Sequence, residues 1–191
     1  MALLGQGLAE LNPRDGLSVF EANLALLQRF WPNMKDSILV AQTSIGLCHQ
    51  SLGRHDEALR LCRKTYASSV KLYGSDDART ILEGNNVCLS LVRNKLFAEG
   101  KQFARKMRRT ARQVLGDHHN QSLVADVTLA EALFYDPTSV RADLLEAEAI
   151  LKDTVKIARR ILGPQHPNTM IMAGQLTAVQ QALARGARPI T

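Results

Sequence analysis

Long apolar runs are missing from this chain of 191 residues, although 46% of it is hydrophobic. A bilayer-spanning helix needs roughly 20 consecutive apolar residues, so no membrane span is expected. The opening stretch, MALLGQGLAELNPRDG, has neither a basic segment nor a long apolar core, which argues against a secretory leader. Cysteine is scarce: Cys48, Cys62 and Cys88 are odd in number and show no CxxC spacing. That excludes a disulfide framework and fits a reduced, cytoplasmic chain with small buried thiols. Catalytic signatures are absent too. There is no HExxH, no GxSxG, no GxxxxGK[ST] and no GxGxxG, so no catalytic residues, nucleotide or other cofactor are expected. His118 and His119 are adjacent on a polar stretch with no Cys or acid at ligand spacing, so no metal site is expected. The net charge of +6 is mild.

What the chain has instead is a repeat. RILGPQHPNT (160–169) is echoed by QVLGDHHNQS (113–122) and KLYGSDDART (71–80). The glycines of the three copies, Gly74, Gly116 and Gly163, stand 42 and 47 residues apart. Self-similarity at such a period is the mark of a solenoid. Other columns align with it. Sixteen residues before each glycine sit Ala58, Gly100 and Ala147, each preceded by a glutamate, and thirteen before sit Leu61, Phe103 and Ile150.

Each unit reads as two helices. The second runs from the acid-small pair to the glycine; the first follows the Thr or Ser of the echoed stretch. Glycine just past a periodic segment is a C-cap signal, and Ser or Thr before an apolar run is an N-cap signal. The longer second spacing comes from YDPTSVRAD (135–143), whose extra residues fall between the two helices of one unit. Asp-Pro there favours a turn, and a projecting, mobile loop is expected. The resulting division is a single repeat domain over 1–191, with a half-unit 1–32, units 33–74, 75–116 and 117–163, a terminal helix 167–184 and a frayed tail 185–191. About nine helices are expected. The half-units at both ends suggest an array cut from a larger protein, because solenoids normally end in polar caps.

The residues NNVCL (85–89), LGRHDEALRL (52–61), EAEAIL (146–151) and LGPQHPNT (162–169) carry a resemblance to the tetratricopeptide superfamily, of the kinesin-light-chain type with its 42-residue unit. It covers about residues 15–184. The resemblance implies an all-α, right-handed solenoid of antiparallel helix pairs, with a concave face lined by the first helices. It also implies a non-catalytic scaffold that binds a partner protein or peptide.

Two surfaces are candidates for binding. The first is the groove on the first helices. Asn85 and Asn86 match the family's paired asparagines, and Asn85 is the better placed of the two, since Val87 occupies the core column and successive residues are about 100° apart. Thr43 and Val127 share its column, Leu39, Ile81 and Leu123 lie one turn earlier, and Arg79 is one of the few cations nearby. An amide that can donate and accept suits the backbone of an extended peptide. The plainer reading is that Asn85 bonds the neighbouring repeat. The second surface is KQFARKMRRTAR (101–112), with six cations and no acid. Arg105, Arg109 and Arg112 share one face of a helix over 97–115. This is either a solvated outer face or a docking patch for an acidic partner, nucleic acid or anionic surface; nucleic acid is the less favoured of these. Arg108 is anomalous, because its column otherwise holds Tyr66 and Val155.

Overall fold

The computed structural model describes residues 12–186. Among them it has eight α-helices and no strand: α1 Pro13–Phe30, α2 Lys35–Ser51, α3 His55–Tyr73, α4 Ala78–Arg93, α5 Phe97–Leu115, α6 Asn120–Tyr135, α7 Arg141–Ile161 and α8 Pro167–Arg185. The helix suspected within residues 1–11 and the end of the tail lie outside the described residues. The chain divides into two compact units, Met1–Ser75 and Asp76–Thr191.

In the first unit α2 packs against both α1 and α3. Leu17 and Phe20 of α1 meet Ile45 and Cys48 of α2 in a common core, with Leu24, Leu52 and Leu61 around its edge. In the second unit α4 to α8 pack in chain order, and the first helices α4 and α6 also touch directly. Ile81, Leu91, Met107, Leu123, Leu129, Leu133, Leu151 and Val179 are fully buried there. The small column expected from the sequence does sit inside: Ala58 and Ala147 have no exposed surface and Gly100 is buried. Small side chains at these sites let the two helices of a pair approach closely.

The echoed stretch stops one helix and starts the next, though not with the residues anticipated. Gly74, Gly116 and Gly163 adopt φ of +88°, +83° and +93°. A Cβ at any of the three would touch nothing within 4 Å, so backbone conformation alone demands glycine. The N-caps are the residues three beyond each glycine, not the Thr or Ser. Asp77 accepts from the Arg79 N–H at 2.9 Å, His119 through Nδ1 from the Gln121 N–H at 3.1 Å, and His166 likewise from the Asn168 N–H at 3.2 Å. Thr80, Ser122 and Thr169 lie inside the first turn and are buried. Ser122 turns back to donate to the Gly116 carbonyl at 2.7 Å. At that turn a hydroxyl secures the chain from within the helix while the His119 imidazole does the capping.

The inserted loop after α6 is tied down at Asp136 and Ser139, while Pro137, Thr138 and Val140 stay exposed. Asp136 is buried and meets Lys101 Nζ of α5 at 2.7 Å. It also accepts from the Thr138 N–H at 2.8 Å and hydroxyl at 2.7 Å. Ser139 donates to the Leu133 carbonyl at 2.5 Å and accepts from Lys101 at 3.2 Å. Burial alone would raise the Asp136 carboxyl, but the bonds from Lys101 and Thr138 outweigh it and hold the group below the usual range. An ion pair shielded by folded chain replaces the free loop suggested by Asp-Pro. Its lysine comes from the run that looked like a surface patch.

Candidate functional site: the exposed stripe of the first helices

The expected groove residues are largely interior. Ile81 and Leu123 have no exposure and Leu39 is 6% exposed. Asn85 is buried; its amide donates to the Gln121 carbonyl at 3.0 Å and side-chain oxygen at 2.9 Å. It therefore ties α4 to α6, as the plainer reading had it. Thr43, half-buried, bonds back to the Leu39 carbonyl at 3.0 Å. Arg79 is exposed and folds onto Asp77 at 2.9 Å. Asn86 alone of the two asparagines reaches the surface.

The outward stripe lies one residue later, a rotation of about 100° around each helix. On α4 it runs through Leu82, Asn86, Leu89 and Arg93, the positions at which that helix leaves most side-chain surface open after its first turn. Leu82 is 37% exposed. The matching positions on α6 are Val124, Thr128, Glu131 and Tyr135, and on α8 Ile171, Gln175, Ala178 and Ala182. Ile171 is 60% and Tyr135 45% exposed, while Thr128 is buried and bonds back to the Val124 carbonyl at 2.8 Å. In the first unit the same offset on α2 gives Val40, Ser44 and Leu47, with Val40 half-exposed. Aliphatic side chains thus recur at one column and hydrogen-bonding ones a turn later.

Between α6 and α8 the stripe deepens into a cavity of about 210 Å³. Glu131, Phe134 and Tyr135 line it from α6 and Gly174, Gln175 and Ala178 from α8. The small residues of α8 leave the space. At its wall Gln175 Nε2 donates to Glu131 Oε1 at 2.6 Å. Burial pushes the Glu131 carboxyl up, against the opposing pull of Arg93 and of the Gln175 bond. The sequence reading missed Glu131 and Gln175; an acid within the apolar LAEALF (129–134) was the available signal.

The basic helix has a different character from either surface considered for it. Asp126 of α6, fully buried, takes Arg108 Nε at 2.6 Å and Arg112 Nη2 at 2.7 Å. Its second oxygen also accepts from the Thr154 hydroxyl of α7 at 3.1 Å. Arg105 pairs with Glu146 at 2.7 Å and Lys101 with Asp136. Four of the six cations are therefore joined to acids of the next repeat, and the expected stripe is exposed without such a partner only at Arg109. This explains the anomaly of Arg108: a cation stands in a core column because a buried carboxylate faces it. The bond to Asp126 holds the Arg112 guanidinium above its usual value. Burial pushes the Cys88 thiol up, leaving it a packing residue. No cluster of metal-ligating side chains occurs among the described residues, and no described helix is long and apolar enough to cross a membrane.

A family model described as Tetratricopeptide repeat matches residues 38–79 and 141–168. No curated protein matches the chain in sequence. Among solved structures, the nearly identical TPR-like repeats of a Podosopora anserina chain described as a kinesin light chain superpose with a TM-score of 0.73 at 18% identity, covering 96% of this chain and 85% of that one. A single-substitution variant of those repeats gives 0.75 at 17%, with the same coverage. BtubC (BKLC) from P. vanneervenii gives 0.73 at 16%, covering 96% of this chain and 70% of that one. At such identities the likeness is one of fold. The chain has a tetratricopeptide-type repeat fold, an all-α solenoid of helix pairs with kinesin-light-chain-like structural neighbours. Folds of this type are typically non-catalytic and commonly serve protein–protein interaction.

Proposed function

We propose that the chain is a non-catalytic scaffold that holds a partner protein or peptide along the first-helix stripe, and that in the second unit this stripe is Leu82, Asn86, Val124, Glu131, Ile171 and Gln175. The observation that supports it is the exposure of aliphatic side chains in one repeating column, with amides a turn away at Asn86 and Gln175. Scattered exposed aliphatics are ordinary on a protein surface, and Leu72, Val114 and Ile161 form a second exposed column at the same period on the second helices; the first-helix column differs in having amides a turn later at Asn86 and Gln175. Apolar anchors would insert between the helices while the amides satisfy the partner's backbone. Asn85, Ile81 and Leu123 then act from behind, fixing the spacing of the helices that carry the stripe. The basic helix holds repeats together in this reading, which leaves Lys106 and Arg109 as its cations without an acid of the next repeat.

A peptide selected from a random library against the wild-type chain tests the assignment. Its affinity is measured for Leu82→Asp, for Ile171→Asp and for the pair Lys106→Glu, Arg109→Glu, each checked for retained helicity. Loss of tenfold or more in the first two, with the third unchanged, is expected. The opposite pattern places the site on the basic helix instead.

A further inference from the structure

The cavity between α6 and α8 has an uneven distribution of hydrogen-bonding groups. Glu131, when ionised, carries only acceptors, and one of its oxygens already receives Gln175 Nε2 at 2.6 Å. That bond fixes the orientation of the Gln175 amide, and its Oε1 is left buried with no hydrogen-bond partner. The cavity is thus lined by a carboxylate with spare acceptor capacity, and the closed-off amide oxygen lies behind it. A carboxylate so placed, with acceptors only, favours a cationic donor as its ligand. Phe134 and Tyr135, set edge to face with ring centroids 5.0 Å apart, supply an apolar wall, and Gly174 and Ala178 leave the opposite side open. Arg93 acts on Glu131 only through its field; the buried ion pairs of the second unit lie elsewhere, at Asp136 and Asp126.

We propose that this cavity is a specificity pocket for an arginine side chain of the bound partner. A guanidinium is donor-only, planar and forked, so it can meet the Glu131 carboxylate with more than one N–H. Its stem and plane would rest on Phe134 and Tyr135 through dispersion and cation–π contact. A carboxylate would meet like charge, and an aliphatic side chain would fill the space but leave the Glu131 carboxylate unserved. This inference rests on the stripe being the binding surface and adds which side chain the partner must present.

The probe is a pentapeptide, Ac-Ala-Ala-Arg-Ala-Ala-NH2, beside versions with norleucine or glutamate at the centre. Each is titrated into the 15N-labelled full chain. Saturable shifts at Gly174, the Gln175 side-chain amide and Ala178 are expected with the arginine peptide, at least tenfold tighter than with norleucine. Glu131→Gln, which keeps shape and loses charge, should bring the two peptides level. Binding of the arginine peptide should also weaken as pH falls through the Glu131 titration, while norleucine binding does not change. Tighter binding of norleucine or glutamate at these resonances overturns the pocket but keeps the stripe. Absence of saturable shifts for all three peptides overturns the pocket as well; whether the stripe also falls is then read from the library peptide and the Leu82→Asp variant.

Discussion

The trio of Arg108, Arg112 and Asp126 offers a direct test of what the basic helix does. Its three members are unequally placed: the Asp126 carboxylate has no exposure, while the two guanidinium side chains retain 32% and 27%. Replacing both arginines with methionine keeps most of the stem volume and leaves the buried carboxylate with only the Thr154 hydroxyl. Stranding a buried charge in this way costs about 3–5 kcal/mol. Asp126→Ala removes the anion instead. The two cations can then turn toward water, so the change forfeits two charge-assisted bonds but recovers the desolvation of all three groups; a net cost of about 1–3 kcal/mol follows. For a chain of 191 residues a gap of roughly 2 kcal/mol corresponds to about 4–8 °C in Tm. Calorimetry and urea melts followed by circular dichroism would show the order. Because repeat arrays can unfold in parts, amide exchange in α6 and α7 should localise the loss. If Asp126→Ala proves as damaging as the double arginine variant, the account of a buried anion held by flexible cations is wrong.

Two further tests use other features. At Gly100 a new Cβ would meet Leu91 Cβ at 3.6 Å, an ordinary contact, whereas at Gly84 it would lie 2.4 Å from Met107 Cε. Gly100→Ala should stabilise by about 0.5–1 kcal/mol and Gly84→Ala should destabilise by about 1–3 kcal/mol as buried Met107 is displaced, both read from urea midpoints. Lys101→Met should make the segment 136–140 the first site of limited proteolysis, while the wild-type chain resists there. Because the Asp136 carboxyl is lowered from its ordinary 3.8, the contribution of this ion pair is full above that value and lost as pH falls through the lowered one. Protection of the segment should therefore persist at about pH 5 and fail in stronger acid, as read by hydrogen exchange.

The helix pairs and their turns were legible because a 42-residue period displays the same positions repeatedly, and chance patterns do not recur in register. The face of each first helix was harder to read. Leu39-Val40, Ile81-Leu82 and Leu123-Val124 are adjacent aliphatic pairs, so hydrophobicity cannot say which member turns inward, and the structure buries the first of each pair. Likewise Ser and Thr are stronger capping residues than His, and they stand close enough to the helix start to draw the assignment away from His119 and His166. Arg108 was visible as an anomaly. Its explanation was not, because Asp126 lies within the apolar LVADVTLA (123–130) on another helix.

The charge lock around Asp126 bears on whether the repeats are interchangeable. A solenoid made of equivalent modules tolerates duplication, deletion and exchange, since each interface resembles the next. Here the anion belongs to one module and its two cations to the module before it. Thr43, Asn85 and the glycine turns could be swapped between units with little electrostatic consequence, but moving the module 117–163 beside a different neighbour would set Asp126 against Tyr66 or Val155 in the Arg108 column and leave a charge in the core. The interface therefore favours this order of the two modules, and a shuffled array would be destabilised until Asp126 was replaced.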